Sequence, residues 1–548
     1  VIPPALDQVL IGAVDRSRNP DLQLAIVLGV NESVFPAPPP PRHLLTDSDC
    51  EELSERGLTV ADPFRRVLGR ERFLGYIACT RARRRLVVIC ARYDAGDNPL
   101  NPSPFFSHLK QLFPQLEVEE DGASPLAPLH ISELFPQVLR LQTAGIMPDG
   151  LLDLPAFAPL RQLLRNGTVV VDSGKLSPAL AERLYGPALR TSVSRLEQFA
   201  ACSFRFFVHS GLQAEERVRF ELDARRKGSF QHLALSLFHE QLRKEGKTWH
   251  DLDAADARQR IAEICAVLIP QFDEGLLAAN PLSRFAARGM ARSLEDFVAA
   301  MAEWMHQYDF EPTAVELEFG GDPQTGSLPA WELDLGSGHR LIFRGRIDRV
   351  DLFVSGPEAL VVVVDYKSSQ HKLDPVYLRH GLQLQLPAYL SVLRRLASPG
   401  KYFDSARLVP AGVFYINLRG KFEHGENRNE VLLSEEPAWQ AAYQHAGRFD
   451  LAALPHLDNR GASRGTQFNY RLKADGRPAA NTPDAMDHAG FQQMLDQVEE
   501  NLIRMGRAIF AGEIAPNPFQ KGTIRACDRC EYQGVCRIDP WAHAFRLV

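Results

Sequence analysis

At 548 residues, with 45% hydrophobic and 24% charged residues, the chain is long enough for more than one domain with its own core. A formal net charge of −6 excludes a uniformly basic nucleic-acid-binding surface, though not a local basic groove. No apolar run approaches the roughly 18 residues of a membrane span, and the N-terminus lacks a signal peptide's basic start and apolar centre, so a cytoplasmic protein with no membrane contact is expected; a chain that begins with Val reads as part of a longer protein.

Leu22 to Pro36 reads as a buried strand ending at a Gly loop, the stretch from Glu71 as a helix, and Leu86 to Cys90 as a strand after it. Helices alternating with buried strands imply an α/β unit with a parallel sheet. No Gly-x-x-x-x-Gly-Lys-Ser/Thr phosphate loop occurs, so neither a nucleotide site nor ATPase activity is expected of this chain alone. From Pro99 to about Thr191 the text is rich in Leu, Pro and short polar breaks, with a helical stretch from Ser132 to Leu141; it reads as a connector without chemistry.

Ser194-Arg-Leu-Glu197 has the spacing of a capping box and predicts a helix carrying Phe199, Cys202 and Phe206. Basic residues then cluster at Arg217, Arg219, Arg225, Arg226 and Lys227, interleaved with acids. Gly228 opens another helix, with an apolar stripe of Phe230, Leu233, Ala234, Leu237 and Phe238. His232 falls off that stripe, and His239 lies two turns farther along the same side as His232.

The most informative stretch runs from Gly345 to Lys367. Two apolar, β-branched runs flank Ser-Gly-Pro-Glu, which is the sequence form of a β-hairpin. A turn centred between Gly356 and Pro357 sets Asp348 opposite Asp365, where like charges about 4.5–5.5 Å apart need a compensator. Lys367 shares the sheet face of Asp365, and Tyr366 points the other way. The run Val361 to Val364 is continuously apolar, so Asp365 ends a strand buried on both faces, and a carboxylate there demands a partner. Two acids and an ammonium suit Mg²⁺, or Mn²⁺, with Lys367 orienting a water or stabilising charge on a scissile phosphate.

Gln385 and Tyr389 stand one helical turn apart on a common face, with Pro387 acceptable only in a first turn or at a kink. Between Leu454 and His488 the composition shifts to Asn, Gly, Arg, Ala and Pro, which reads as an insertion or mobile loop. Of eight cysteines, Cys527, Cys530 and Cys536 sit together in a spacing that is metal-binding more often than disulfide-bonded in a cytosolic chain. A fourth ligand must come from elsewhere; Cys202, His543 and His209 are the candidates, and spacing alone separates neither zinc from iron–sulfur nor one candidate from another.

Gly345-Arg-Ile-Asp-Arg-Val-Asp, Val364-Asp-Tyr-Lys-Ser-Ser and Gln385-Leu-Pro-Ala-Tyr389 resemble the motif series of the RecB/AddB branch of the PD-(D/E)xK nucleases. The resemblance implies a mixed sheet flanked by helices and an α/β class overall. It implies metal binding by His232, Asp348, Asp365 and the Tyr366 carbonyl, with Lys367 activating water and Gln385 and Tyr389 supporting the site. Tyr76-Ile-Ala-Cys-Thr-Arg-Ala resembles the last motif of superfamily 1 helicases, whose Arg, here Arg81, contacts the nucleotide in active relatives; the preceding helicase motif is replaced by Asp15-Arg-Ser-Arg-Asn-Pro-Asp.

AddB-type subunits are similar in pairing such a degenerate region with a nuclease domain in which one Cys before and three after the nuclease motifs hold a [4Fe–4S] cluster. That assigns Cys202, Cys527, Cys530 and Cys536 here. The implied organisation is a helicase-like region over 1–110, a connector over 111–190 and a nuclease domain over 191–548. The implied function is Mg²⁺-dependent cleavage of DNA at double-strand ends in recombinational repair, with single-stranded DNA at the nuclease site and an AddA-type helicase-nuclease subunit as partner. A non-catalytic DNA-binding scaffold with a vestigial site is the rival reading, as is a free-standing nuclease with a zinc site.

Overall fold

The computed structural model describes residues 11–16, 22–38, 45, 47–58, 64–94, 99–119, 134–135, 138, 150–162, 175–215, 221–369, 371–420, 439–479, 484–538 and 545–548. His543, Arg217 and Arg219, and most of the stretch from Ser132 to Leu141, lie outside these residues. The chain forms two compact units, residues 1–160 with 423–435, and residues 161–422 with 436–548.

In the first unit, β1 (Leu22–Val27) pairs in parallel with β2 (Ala82–Val88). Helices α1 (Asp47–Glu55) and α2 (Phe64–Thr80) lie between them in sequence, as a parallel pair requires a crossover. β1 is shorter and α2 begins earlier than the sequence pattern predicts, and β2 starts at Ala82 rather than Leu86. A short helix, α3 (Pro104–Leu112), follows, capped by the buried Ser103 hydroxyl.

Among the described residues the second unit holds three sheets, the smallest of them formed near the C-terminus by Phe519–Lys521, Ile524–Arg525 and Arg546–Leu547. Another three-stranded one joins β3 (Ala188–Thr191), β6 (His339–Phe343) and β5 (Trp331–Gly336), in that order. The largest one is built from β4 (Glu311–Phe319), β7 (Gly345–Ser355), β8 (Glu358–Lys367), β9 (Arg407–Asn417), β10 (Ala446–Asp450) and β11 (Ala485–Met486). Its six strands stand in the order β11-β10-β9-β8-β7-β4.

Alternation along β8 divides the core in two. Val361 and Val363 pack with α5 (Val193–Ala201), α9 (Gln385–Arg394) and α10 (His488–Phe510), following α4 (Pro178–Tyr185) in the chain. Val362, Val364 and Tyr366 pack with α6 (Ala224–Glu245), α7 (Ala254–Leu268) and α8 (Pro281–Met305). β8 is therefore covered on both faces, as its unbroken valine run requires.

Several sequence expectations shift. Ser192, not Ser194, caps α5. α6 begins one turn before Gly228, with the Asp223 carboxylate accepting the Arg226 N–H. Its buried side chains are Phe230, Gln231, Ala234, Leu235, Phe238, His239 and Leu242, while Leu233 is exposed, because the buried stripe is rotated by one residue. The polar segment from Leu454 is no loose insertion: Leu457, Phe468 and Tyr470 are buried, and the Tyr470 hydroxyl donates to Asp458 at 2.8 Å. Among the described residues no helix is long and apolar enough to cross a membrane.

Candidate active site

The hairpin has the expected register, from Ser355 opposite Glu358 to Arg349 opposite Val364. One step farther, the ladder gives way to a side chain: the Asp348 carboxylate accepts the Tyr366 N–H at 2.9 Å. β8 continues beside β9 instead, with Asp365 opposite Tyr415 and Lys367 opposite Asn417. Asp348 and Asp365 are both buried. Burial first, and then the Asp365 charge, raise the Asp348 carboxyl to about 7 against the opposing pull of His232 and the Tyr366 N–H.

His232 approaches this strand end from α6. Its Nε2 lies 3.1 Å from the Tyr366 carbonyl oxygen, and its Nδ1 lies 3.3 Å from Glu316 Oε1 and 3.6 Å from Asp348 Oδ2. Burial opposes charge on this imidazole, but the Glu316 hydrogen bond and the charges of Asp348, Glu316 and Asp365 outweigh it and raise it to about 9. Glu316 is a participant that the sequence reading missed. It sits within β4 at φ +49°, a left-handed conformation that costs a non-glycine residue roughly 1–3 kcal/mol and concentrates at functional sites.

Among the described residues, His232, Glu316 and Asp348 form the group whose ligand atoms all lie within 4.8 Å of one another. Asp365 stands outside that group. Its Oδ1 accepts from Gln385 Nε2 at 3.3 Å, and its Oδ2 forms an ion pair with Lys367 Nζ at 2.5 Å. A cluster of acids that includes the buried Asp348 and Asp365 fits a hard divalent cation.

The helix α9 supplies the other flank. Gln385 Nε2 also reaches the Tyr389 hydroxyl at 3.2 Å, and Pro387 falls in the first turn, where it costs no hydrogen bond. Glu197 is no capping-box residue of its own helix. Its Oε1 accepts the N–H groups of Leu384 and Gln385, at 2.5 and 2.8 Å, and so caps α9. Burial raises this carboxyl to about 7, against those two N–H groups and the Lys367 charge. A Cβ on Gly345 would stand 2.9 Å from the Phe319 ring that packs against Tyr389, which explains a glycine at the start of β7.

Cys202, Cys527, Cys530 and Cys536 line one small cavity of about 20 Å³. Around it, the Ser203 N–H and hydroxyl bind Asn517, the same hydroxyl donates to the Ala515 carbonyl, and Arg205 pairs with Glu531 at 3.0 Å. Burial, and then the neighbouring Cys202, Cys530 and Cys536, push the Cys527 thiol up to about 11. No three of these sulfurs lie within 4.8 Å of one another. Four sulfurs facing one cavity fit a thiolate-held metal centre. His209 instead faces the Tyr532 hydroxyl at 3.3 Å.

Other singled-out residues lie elsewhere. His239 is buried near Arg349 and Asp351 and away from His232. Tyr366 turns its ring to the opposite face, where its hydroxyl accepts from Arg349 at 3.4 Å. Arg81, in the first unit, stands between α2 and β2 with its guanidinium 3.5 Å from the Val14 carbonyl.

A hairpin with acids at its strand end, a lysine two residues on, and helices over both sheet faces define a nuclease-type α/β domain. The PD-(D/E)XK nuclease superfamily is matched by residues 190–537, and the chain belongs to that superfamily. It is similar to the B-type subunit of an ATP-dependent helicase/deoxyribonuclease from Desulforamulus reducens, at 31% identity over 100% of this chain and 49% of the relative. The proteins of the same name from Moorella thermoacetica and Symbiobacterium thermophilum are 33% and 32% identical over 98% of this chain and 48% of their own length. The chain thus spans about half the length of the curated relatives it matches.

Proposed function

We propose that this chain is the nuclease-bearing part of a helicase–nuclease assembly and hydrolyses DNA phosphodiester bonds. The observation that carries this is the convergence of His232, Glu316, Asp348 and the Tyr366 carbonyl beside Asp365 and Lys367. These first four groups would hold Mg²⁺ or Mn²⁺, with Asp365 joining them when Lys367 moves to substrate. The bound cation supplies Lewis-acid polarisation of the scissile phosphate and acidifies water at the site.

The chain's own groups do the rest. The Tyr366 N–H fixes the Asp348 carboxylate, and Glu316 fixes the His232 ring, so the ligands are held before metal arrives. Lys367 stands where its ammonium can orient the attacking water or meet negative charge developing on the phosphate. Gln385, held between Asp365 and Tyr389 and positioned by the Glu197 cap, supports the acid and limits its motion.

The four cysteines would hold a [4Fe–4S] cluster with a structural role, tying Cys202 to a segment more than 300 residues later. The name of the relatives, which joins an ATP-dependent helicase to a deoxyribonuclease, supports an assembly that acts on DNA. A second, helicase-bearing subunit would be the partner, and double-stranded DNA ends the substrate, in recombinational repair. The test is cleavage of end-labelled single-stranded DNA with Mg²⁺ by anaerobically purified protein and its Lys367→Ala variant, with and without the partner. Cleavage that is lost in the variant supports the reading; equal cleavage by both overturns it.

A further inference from the structure

Seven residues along α6 from His232, about 10 Å at 1.5 Å per residue, His239 borders a second cavity. Its volume is about 190 Å³, and it lies between the C-terminal half of α6, Trp249 and the first residues of β4. β4 covers a similar distance from Glu316 back to Thr313, at about 3.3 Å per residue. Helix and edge strand therefore run side by side from the metal-ligand cluster to this cavity.

Two buried side chains of the lining lack hydrogen-bond partners. His239 is 4% exposed, and neither of its ring nitrogens has a hydrogen-bond partner; the buried indole Nε1 of Trp249 has none either. Buried donors of this kind mark places that a ligand or water completes. Arg243 and Lys247 bring positive charge to the same cavity. Arg243 makes no ion pair among the described residues, and Lys247 has only a 3.7 Å contact with Glu245. The one acid of the lining, Glu311, is already engaged: it accepts the Trp249 N–H at 3.1 Å and faces His250 Nδ1 at 2.7 Å. Thr313, beside a bulge in β4, opens the strand edge at the cavity.

We propose that this cavity is an oxyanion site that seats a backbone phosphate of the DNA strand being cut, with Arg243 and Lys247 supplying charge and His239 and Trp249 supplying N–H donors. The proposal rests on the nuclease reading of the neighbouring cluster. At about 10 Å from the metal-ligand cluster along α6, the site would grip the strand beside the scissile bond and set its register. Its chemistry is that of any phosphate, so free inorganic phosphate is the competing occupant.

The test is binding of a fluorescent single-stranded oligonucleotide to the full chain, in EDTA, over a salt titration. Compared are wild type, the exposed-residue double variant Arg243→Ala/Lys247→Ala, and His239→Gln. The double variant is expected to bind about tenfold more weakly and to lose about 0.7 from the slope of log K against log salt, the share of one single-strand phosphate contact. His239→Gln is expected to weaken binding by a smaller factor. Unchanged affinity and slope in the double variant overturn the proposal. Calorimetry with inorganic phosphate separates the occupants: phosphate binding abolished by the double variant, with DNA affinity unchanged, overturns the strand assignment. Cleavage is followed on the same protein preparations with Mg²⁺ in place of EDTA. Mg²⁺-dependent cleavage with unaltered variant binding overturns the cavity assignment alone, whereas weakened variant binding without any cleavage by wild type and its partner removes the nuclease reading and supports the phosphate site.

Discussion

The Asp348 carboxylate accepts the backbone N–H of Tyr366 at 2.9 Å, one step beyond the last paired residues of the β7–β8 hairpin. A side chain thus replaces a ladder hydrogen bond at the strand end. From there β8 runs on beside β9, and the Tyr366 carbonyl faces His232. Backbone and ligands are fixed together.

Glu316 is expected to matter as much as the acids of the hairpin. Glu316→Gln should weaken Mg²⁺ or Mn²⁺ affinity roughly 10–100-fold, through loss of a ligand or of the His232 orienter, with little change in melting temperature. Metal titration followed by calorimetry measures this, and wild-type affinity in the variant would exclude Glu316 from the centre.

Metal binding should strengthen with pH. Asp348 is raised to about 7 and His232 to about 9, and both must shed a proton to ligate. In the metal-free protein each group favours folding in its protonated form. That stability is complete below its ordinary value and is lost as pH rises through about 7 and about 9 respectively. The thermal stabilisation given by Mg²⁺ is therefore expected to grow across this window, and a flat dependence would contradict these assignments.

Glu197→Ala should cost roughly 1–3 kcal/mol for each of two N–H groups left without an acceptor and should slow cleavage by loosening Gln385. Glu197→Gln keeps an acceptor. Because the wild-type carboxyl is raised from 4.5 to about 7, its favourable contribution is present below 4.5 and lost as pH rises through about 7. Wild type should therefore lose stability relative to Glu197→Gln over that range in chemical denaturation.

The second aspartate of the same strand should behave differently. Asp351 is fully buried and takes two 2.6 Å hydrogen bonds from Arg349 and one of 2.8 Å from the Tyr308 hydroxyl, on the sheet face away from Asp348. Asp351→Ala should destabilise by roughly 3–5 kcal/mol, by stranding a buried guanidinium. Whatever protein still folds should retain metal affinity, whereas Asp348→Ala should do the reverse.

What was legible in the sequence was local. The turn at Gly356 and Pro357 and the period of two together set the hairpin register as far as Arg349 opposite Val364, and the i, i+4 spacing placed Gln385 beside Tyr389. Glu316 was not legible because its role depends on a left-handed backbone angle within an ordinary alternating strand. Glu197 mimicked a capping box, yet its carboxylate serves N–H groups nearly 190 residues away, at Leu384 and Gln385. The polar text after Leu454 concealed Phe468 and Tyr470, two aromatic anchors that bury a segment whose average composition resembles a loop.

Anomalous diffraction from crystals soaked in Mn²⁺ tests the metal centre most directly. Expected is a peak at bonding distance from His232, Glu316, Asp348 and the Tyr366 carbonyl oxygen, absent from crystals of Asp348→Ala. A peak elsewhere in the nuclease domain, or none at saturating Mn²⁺, would contradict the assignment of this cluster as the metal site.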